Sequence, residues 1–176
     1  MPEFFNVLPP AQALKVLLDR LEPRPVSPAM DVPITEALGR VTAQVTHATE
    51  DLPSFPRSTM DGYSLRAADT FGASEGTPAY FTIAGDVPMG KPAGVSVGTG
   101  NAALAYTGGM LARGADAVIM VENTQQVDAT TIEVIRPVAH GENVVQPGED
   151  VKRGEVILPA GHYLRPQDLG GLPAMG

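Results

Sequence analysis

A chain of 176 residues with 12 basic and 20 acidic side chains carries a formal net charge of −8, which repels nucleic-acid phosphates and anionic lipid unless a basic patch reverses it, and no such patch is visible. The absence of cysteine excludes a disulfide framework, a thiolate nucleophile and Cys-ligated zinc, while a hydrophobic fraction of 43% is that of a folded domain. With 19 Gly, 17 Pro and aromatics at 5%, short strands and turns are expected to outnumber long helices.

The opening MPEFFNVLPP has neither the basic stretch nor the apolar run of a signal peptide, and no apolar run approaches the roughly 20 residues that span a bilayer, so a soluble cytoplasmic protein is expected. Over residues 11–21, Leu14, Val16, Leu17, Leu18 and Leu21 recur at helical spacing, and Pro9-Pro10 suits the lead-in to a first turn. Pro23 and Pro25 end this helix and begin an extended connector, PRPVSPAMDVPI. Thr35 is placed to cap a short helix over residues 36–38 that Gly39 terminates, and a strand over 40–45 follows. Further β-like runs lie at 80–84, 102–106, 117–121, 131–135 and 156–158, separated by Gly, Pro, Asp and Asn. They suggest one compact β domain across 54–148, with flanking segments that pair with each other. Pro166 opens another helix through Leu169, and the chain is expected to continue past Gly176.

Three clusters carry candidate chemistry. In residues 58–63, STMDGY, two hydroxyls, a carboxylate and a glycine fall in a turn entering a strand; hydroxyls and free amides hold oxyanions, and a carboxylate holds a magnesium ion that bridges to phosphate. Thr107-Gly108-Gly109 follows a strand, where a flexible backbone can turn its amides toward an anion. In Gly148-Glu149-Asp150, adjacent acids can share a metal or project into water. Taken singly, each is as readily structural: an Asp-Gly turn, a plain loop, a solvated acidic pair. His47, His140 and His162 lack the spacing of a helical metal pair, no serine nucleophile elbow is present, and Lys152-Arg153 reads as a surface turn.

Taken in order, the clusters resemble the molybdopterin molybdenumtransferases, the bacterial MoeA type and the E domain of gephyrin. The resemblance centres on DLPSFPRSTMDGYSLRAAD, residues 51–69, through Pro53, Phe55, Ser58, Met60, Asp61, Gly62, Tyr63, Arg66 and Asp69. It continues through Thr107-Gly108, Gly114-Ala115-Asp116-Ala117-Val118 and Gly148-Glu149-Asp150, and backwards through residues 36–41. It implies a mainly β fold, with a small β domain over 54–148 inserted in an elongated α+β domain formed by 23–53 and 149–176. A single N-terminal helix, within residues 1–22, packs on a further domain, so its leucine face is expected to be poorly buried here.

The resemblance further implies insertion of molybdate into adenylated molybdopterin with release of AMP, supported by magnesium, in a homodimer. Asp61, Thr107 and Asp150 match the catalytic positions, Ser58, Gly62, Gly108 and Glu149 the substrate-binding ones, and Asp61 and Asp150 the magnesium ligands. Nucleic acid and membranes are not expected partners. Two positions depart from the pattern: many members carry arginine after Asn143-Val144, where this chain has Val145-Gln146-Pro147, and the usual Thr-Gly-Ala-Pro reads Thr107-Gly108-Gly109-Met110. These departures leave open a second reading, a non-catalytic dimerisation or ligand-binding module derived from the same family.

Overall fold

Residues 7–21 and 27–175 are described by a computed structural model. The chain divides into two units, Met1–Pro33 and Ile34–Gly176. The connector prolines Pro23 and Pro25 lie outside the described residues.

The first unit holds helix α1 (Pro10–Arg20), one residue earlier than its spacing predicts. Proline occupies its first turn, where a missing N–H costs nothing, and the Pro9 carbonyl accepts from Gln12 N and Ala13 N at 2.9 Å. No residue of α1 is buried, and Leu14, Leu17, Leu18 and Leu21 remain 56%, 57%, 58% and 57% exposed.

In the second unit, the glycine-punctuated runs become strands β1 (Thr46–His47), β2 (Arg57–Ser58), β3 (Gly62–Leu65), β4 (Ala79–Asp86), β5 (Asn101–Ala105), β6 (Ala117–Met120), β7 (Thr124–Gln126), β8 (Thr131–Val134), β9 (Val144–Val145) and β10 (Val156–Leu158). A six-stranded sheet runs in the order β6-β3-β5-β4-β8-β7, all antiparallel except β4 with β5. Two smaller pairs, β1-β10 and β2-β9, join segments distant in sequence.

The mainly β character expected from composition is therefore what the chain adopts, with a single N-terminal helix. Two local expectations are corrected. The short helix lies earlier than residues 36–38: a 3-10 turn occupies Ile34–Glu36, with Thr35 inside it and not capping it, and Gly39 at φ +74° closes the turn that follows. Residues 40–45 form no strand, because Val41 makes only an isolated bridge to Tyr163 and regular pairing begins at Thr46.

Both faces of the large sheet are covered, as neighbouring residues of β5 demonstrate. Ala102 joins Leu65, Phe81, Ile119, Ile132 and Val134 in one buried cluster, while Ala103 joins Val87, Ala93, Val97 and Ala112 in another. The second cluster is built largely from residues 87–100, the crossover that a parallel β4-β5 pair requires. Among the described residues every buried polar side chain is partnered: Ser64 Oγ donates to the Ala103 carbonyl at 3.1 Å and accepts from Ala112 N at 3.3 Å. Motif residues hold this frame together. Arg66 donates to Thr99 Oγ1 at 2.7 Å, Asp69 accepts from Gly100 N at 3.1 Å, and Asp116 accepts from Ala67 N at 2.7 Å.

Helix α2 (Pro166–Gly171) starts where Pro166 predicts. Asp168 anchors it by accepting from Arg165 N at 2.9 Å, from the Arg165 guanidinium at 3.2 Å, and by pairing with His162 Nε2 at 2.9 Å. The Arg165 side chain, then His162, hold the Asp168 carboxyl well below the usual carboxylate range. A carboxyl depressed in the folded state stabilises the protein above its unfolded pKa of about 3.9, and the contribution fades as pH falls toward the folded value. Asp168→Asn is therefore expected to lower the thermal midpoint at neutral pH, with the gap to the unsubstituted protein narrowing in acid below about pH 4. Melting curves across that range check it; a gap constant with pH counts against the assignment.

Candidate active site

The site begins with a constraint at Gly62. It stands in β3 between Ala105 of β5 and Met120 of β6, and a Cβ there would lie 1.9 Å from the Ile119 carbonyl oxygen. Only glycine lets β3 approach β6 so closely. Four residues before it, Ser58 is 2% exposed; its hydroxyl donates to the Met60 carbonyl and accepts from Met60 N at 3.2 Å. That local loop shapes the turn and delivers Asp61 to the surface at the start of β3.

Asp61 faces the end of β5. Its Oδ1 accepts from Thr107 N at 2.8 Å and from Thr107 Oγ1 at 2.9 Å, while its own carbonyl accepts from Val121 N at 3.1 Å. Oδ2 has no hydrogen-bond partner among the described residues. The Thr107 backbone amide, then its hydroxyl, lower the Asp61 pKa, so the carboxylate stays ionised and exposed. The first two sequence clusters thus meet in one pair of residues.

The second cluster does not present its amides as composition suggests. Thr107 N is engaged by Asp61, Gly108 N donates to the Ser58 carbonyl at 2.7 Å, and Gly109 N donates to the Tyr106 carbonyl at 2.8 Å. The loop is an internal fastening, with Gly108 at φ +79° and Ser58 N returning a bond to the Gly109 carbonyl at 2.9 Å. The expected amide cradle for an anion is absent from it.

The third cluster is linked through β2. Arg57 donates to Asp150 Oδ2 at 3.1 Å, lies opposite Val145 in β9, and forms an isolated bridge with Met110. Glu149 is turned onto its own loop, its Oε2 accepting from Gln146 N at 2.8 Å, and Gly148 at φ +70° donates to the Pro53 carbonyl at 3.0 Å. Asp61 and Asp150 share no hydrogen-bond partner, and among the described residues no group of three His, Cys, Asp or Glu side chains converges as a metal cage.

Two participants escaped reading by motif. Arg57 sits inside the signature loop, and only its register opposite Val145 reveals its pairing with Asp150. Asn143, at φ +59°, accepts from Thr59 N at 3.0 Å and donates from its amide to the Val118 carbonyl at 2.9 Å, so it braces the same turn from the far side. A left-handed asparagine is a turn signal, yet nothing local says which turn it supports.

The sequence and the fold are similar to those of known proteins. Residues 8–176 match the family described as the MoeA N-terminal region, domains I and II. A protein of Methanocaldococcus jannaschii named for molybdopterin biosynthesis is 37% identical over 176 residues, covering 97% of this chain and 41% of the relative. A molybdopterin molybdenumtransferase of Staphylococcus aureus is 29% identical over 171 residues, with 97% and 40% covered. The crystal structure of a molybdopterin biosynthesis MoeA protein from Pyrococcus horikoshii superposes with a TM-score of 0.87 at 43% identity, over 97% of this chain and 44% of that one. The chain thus spans about two fifths of the length of the curated relatives it matches. No helix among the described residues is long and apolar enough to cross a membrane.

Proposed function

The chain belongs to the family of the MoeA N-terminal region, and on that premise we propose that it supplies domains I and II of a molybdopterin molybdenumtransferase. The reaction is insertion of molybdate into adenylated molybdopterin with release of AMP, in the cytoplasm and in a homodimer. The observation that carries this reading is the Asp61–Thr107 pair: an ionised carboxylate fixed through one oxygen, with the other open to solvent.

Magnesium fits that donor. It keeps several waters and binds through one or two carboxylates together with substrate phosphates, so a full protein cage is not needed. Asp61 would hold it, with Asp150 as the second carboxylate that the family resemblance implies, and the ion would supply charge neutralisation at phosphate. Thr107 orients Asp61; Ser58 and Gly62 shape the turn that carries it; Gly108 fastens that turn to β5; and Glu149 closes the loop that carries Asp150. Substrate binding at these last four positions is exercised through the turns they set.

We read 23–53 and 149–176 as one discontinuous domain, with 54–148 inserted. The β1-β10 pair and the Val41–Tyr163 and Leu52–Val151 bridges support this division, since each ties a segment before residue 54 to one after residue 148. The exposed leucine face of α1 suits a surface that a further domain covers.

Arg57 offsets the departure at Val145. A guanidinium on β2 stands directly across from the position where the family pattern places arginine, and it reaches Asp150. The pair is half exposed, so Arg57→Ala is expected to change stability by less than about 1 kcal/mol while lowering turnover roughly tenfold. Val145→Arg in that background is expected to restore part of the turnover; activity unchanged by Arg57→Ala counts against the role. The function as a whole is tested by supplying adenylated molybdopterin and molybdate to the full-length protein and measuring AMP and reconstitution of a molybdenum-free apoenzyme. Release of AMP that depends on molybdate supports the proposal, and failure to produce active cofactor defeats it.

A further inference from the structure

The Thr107 loop has a second side. There a cleft of about 280 Å³ is lined by the apolar side chains of Phe55, Pro92 and Met110, by the backbone of Gly108 and Gly109, and by Lys91. That volume is close to the lower bound of about 300 Å³ usual for small-molecule sites.

Its chemistry is selective. The amides of Gly108 and Gly109 are both engaged inside the protein, so the loop offers no free donor to an oxyanion here. What it does offer is backbone without side chains, which a flat group can approach closely. At Gly109 a Cβ would lie 2.9 Å from the Tyr106 carbonyl oxygen and 3.4 Å from Met89 Sδ, so a side chain there would need the loop to shift. Phe55 and the thioether of Met110 are suited to the face and edge of an aromatic ring.

Lys91 is the one charged residue among those lining the cleft, and it has no ion pair among the described residues. Its place is fixed locally. Lys91 N donates to the Pro88 carbonyl at 3.2 Å across a turn in which Gly90 has φ +71°, and Ala93 N donates to Met110 Sδ at 3.3 Å. The crossover loop is thereby pinned beside the residue that departs from the family pattern.

We propose that this cleft is a ring subsite of the active centre, taking a flat nitrogen heteroaromatic ring while Lys91 holds the adjoining phosphate. The proposal rests on the transferase reading above. An adenylated pterin carries two such rings, adenine and pterin, and the shared chemistry is that of a flat, nitrogen-rich, phosphate-linked ring.

The test is equilibrium binding to the full-length protein. Adenosine and AMP probe one ring, 6-hydroxymethylpterin and its phosphate the other. One pair is expected to bind, identifying the ring. Pro92→Trp, which fills the cleft from an exposed position, is expected to weaken both members of that pair roughly tenfold or more. Lys91→Ala, also exposed, is expected to weaken the phosphorylated member roughly tenfold and spare the other. Either variant without its effect, or binding of neither ring, overturns the subsite. Cofactor formation by the unsubstituted protein separates the two claims: if it proceeds while the cleft variants bind as before, the subsite fails and the transferase reading stands. If no cofactor forms, the transferase reading fails, and the binding data still decide whether the cleft holds a ring.

Discussion

Gly62→Ala is expected to unfold the sheet domain or to cost it about 3 kcal/mol or more, the upper part of the range for forcing an atom into packed structure. The reason lies in what surrounds the missing side chain. A Cβ at this position meets Ile119 O at 1.9 Å, Ile119 C at 2.9 Å and Met120 Cα at 3.0 Å, all of them backbone of β6. No rotamer change relieves such a contact, so β3 and β6 must separate. With them go the register from Gly62–Met120 to Leu65–Ala117 and the bond from Val121 N to the Asp61 carbonyl. Gly76 provides the comparison, because nothing lies within 4 Å of a Cβ built there and its backbone is not left-handed. Gly76→Ala is expected to stay within about 0.5 kcal/mol of the parent. Denaturant titration followed by circular dichroism gives both values, and equal midpoints for the two variants would contradict the close-packing account.

Gly62 also illustrates what a sequence alone can convey. The Asp-Gly dipeptide marks a turn, but the demand for glycine comes from Ile119, 57 residues later in the chain. Strands with apolar runs at 80–84, 102–106, 117–121, 131–135 and 156–158 were legible because burial repeats along them, and each is present within two residues at either end. The two-residue strands β2 and β9 were not, since a pair of residues carries no periodicity. For the same reason the segment 40–45 misled: Val41 and Val45 suggest a strand, while only Val41 finds a partner, in an isolated bridge.

The site was legible in its parts and misread in one of its mechanisms. Asp61 and Thr107 stand out as motif residues, and their contact at 2.8 Å and 2.9 Å joins them across 46 positions. The glycines after Thr107 suggested free amides, a reading from flexibility alone. Their amides are instead taken up by Tyr106, in the same local turn, and by Ser58, which becomes a neighbour only when β2 is brought to this loop. Lys91 carried no signal at all, because a single lysine in a turn is indistinguishable from a solvated one until the cleft beside Met110 exists.

Asp61→Ala carries the largest functional effect. The side chain is exposed and among the described residues bonds only Thr107, so its removal leaves the core, the ladder and Gly62 untouched. The proposed function puts neutralisation of phosphate charge at Asp61, and on that proposal its removal is expected to lower the rate on the order of a hundredfold or more. Thr107→Val keeps the backbone donor and deletes the hydroxyl one, so a smaller loss of roughly tenfold is expected. Because Thr107 lowers the Asp61 pKa, the carboxylate remains charged below the ordinary carboxylate range, and Thr107→Val is expected to move the acid limb of the rate profile upward in pH. The decisive measurement is AMP release and cofactor formation by full-length Asp61→Ala, with its denaturant midpoint taken alongside. A protein as stable as the parent that has lost both activities is the expected result; one that inserts molybdate at the parent rate would contradict the placing of the chemistry at the Asp61–Thr107 pair.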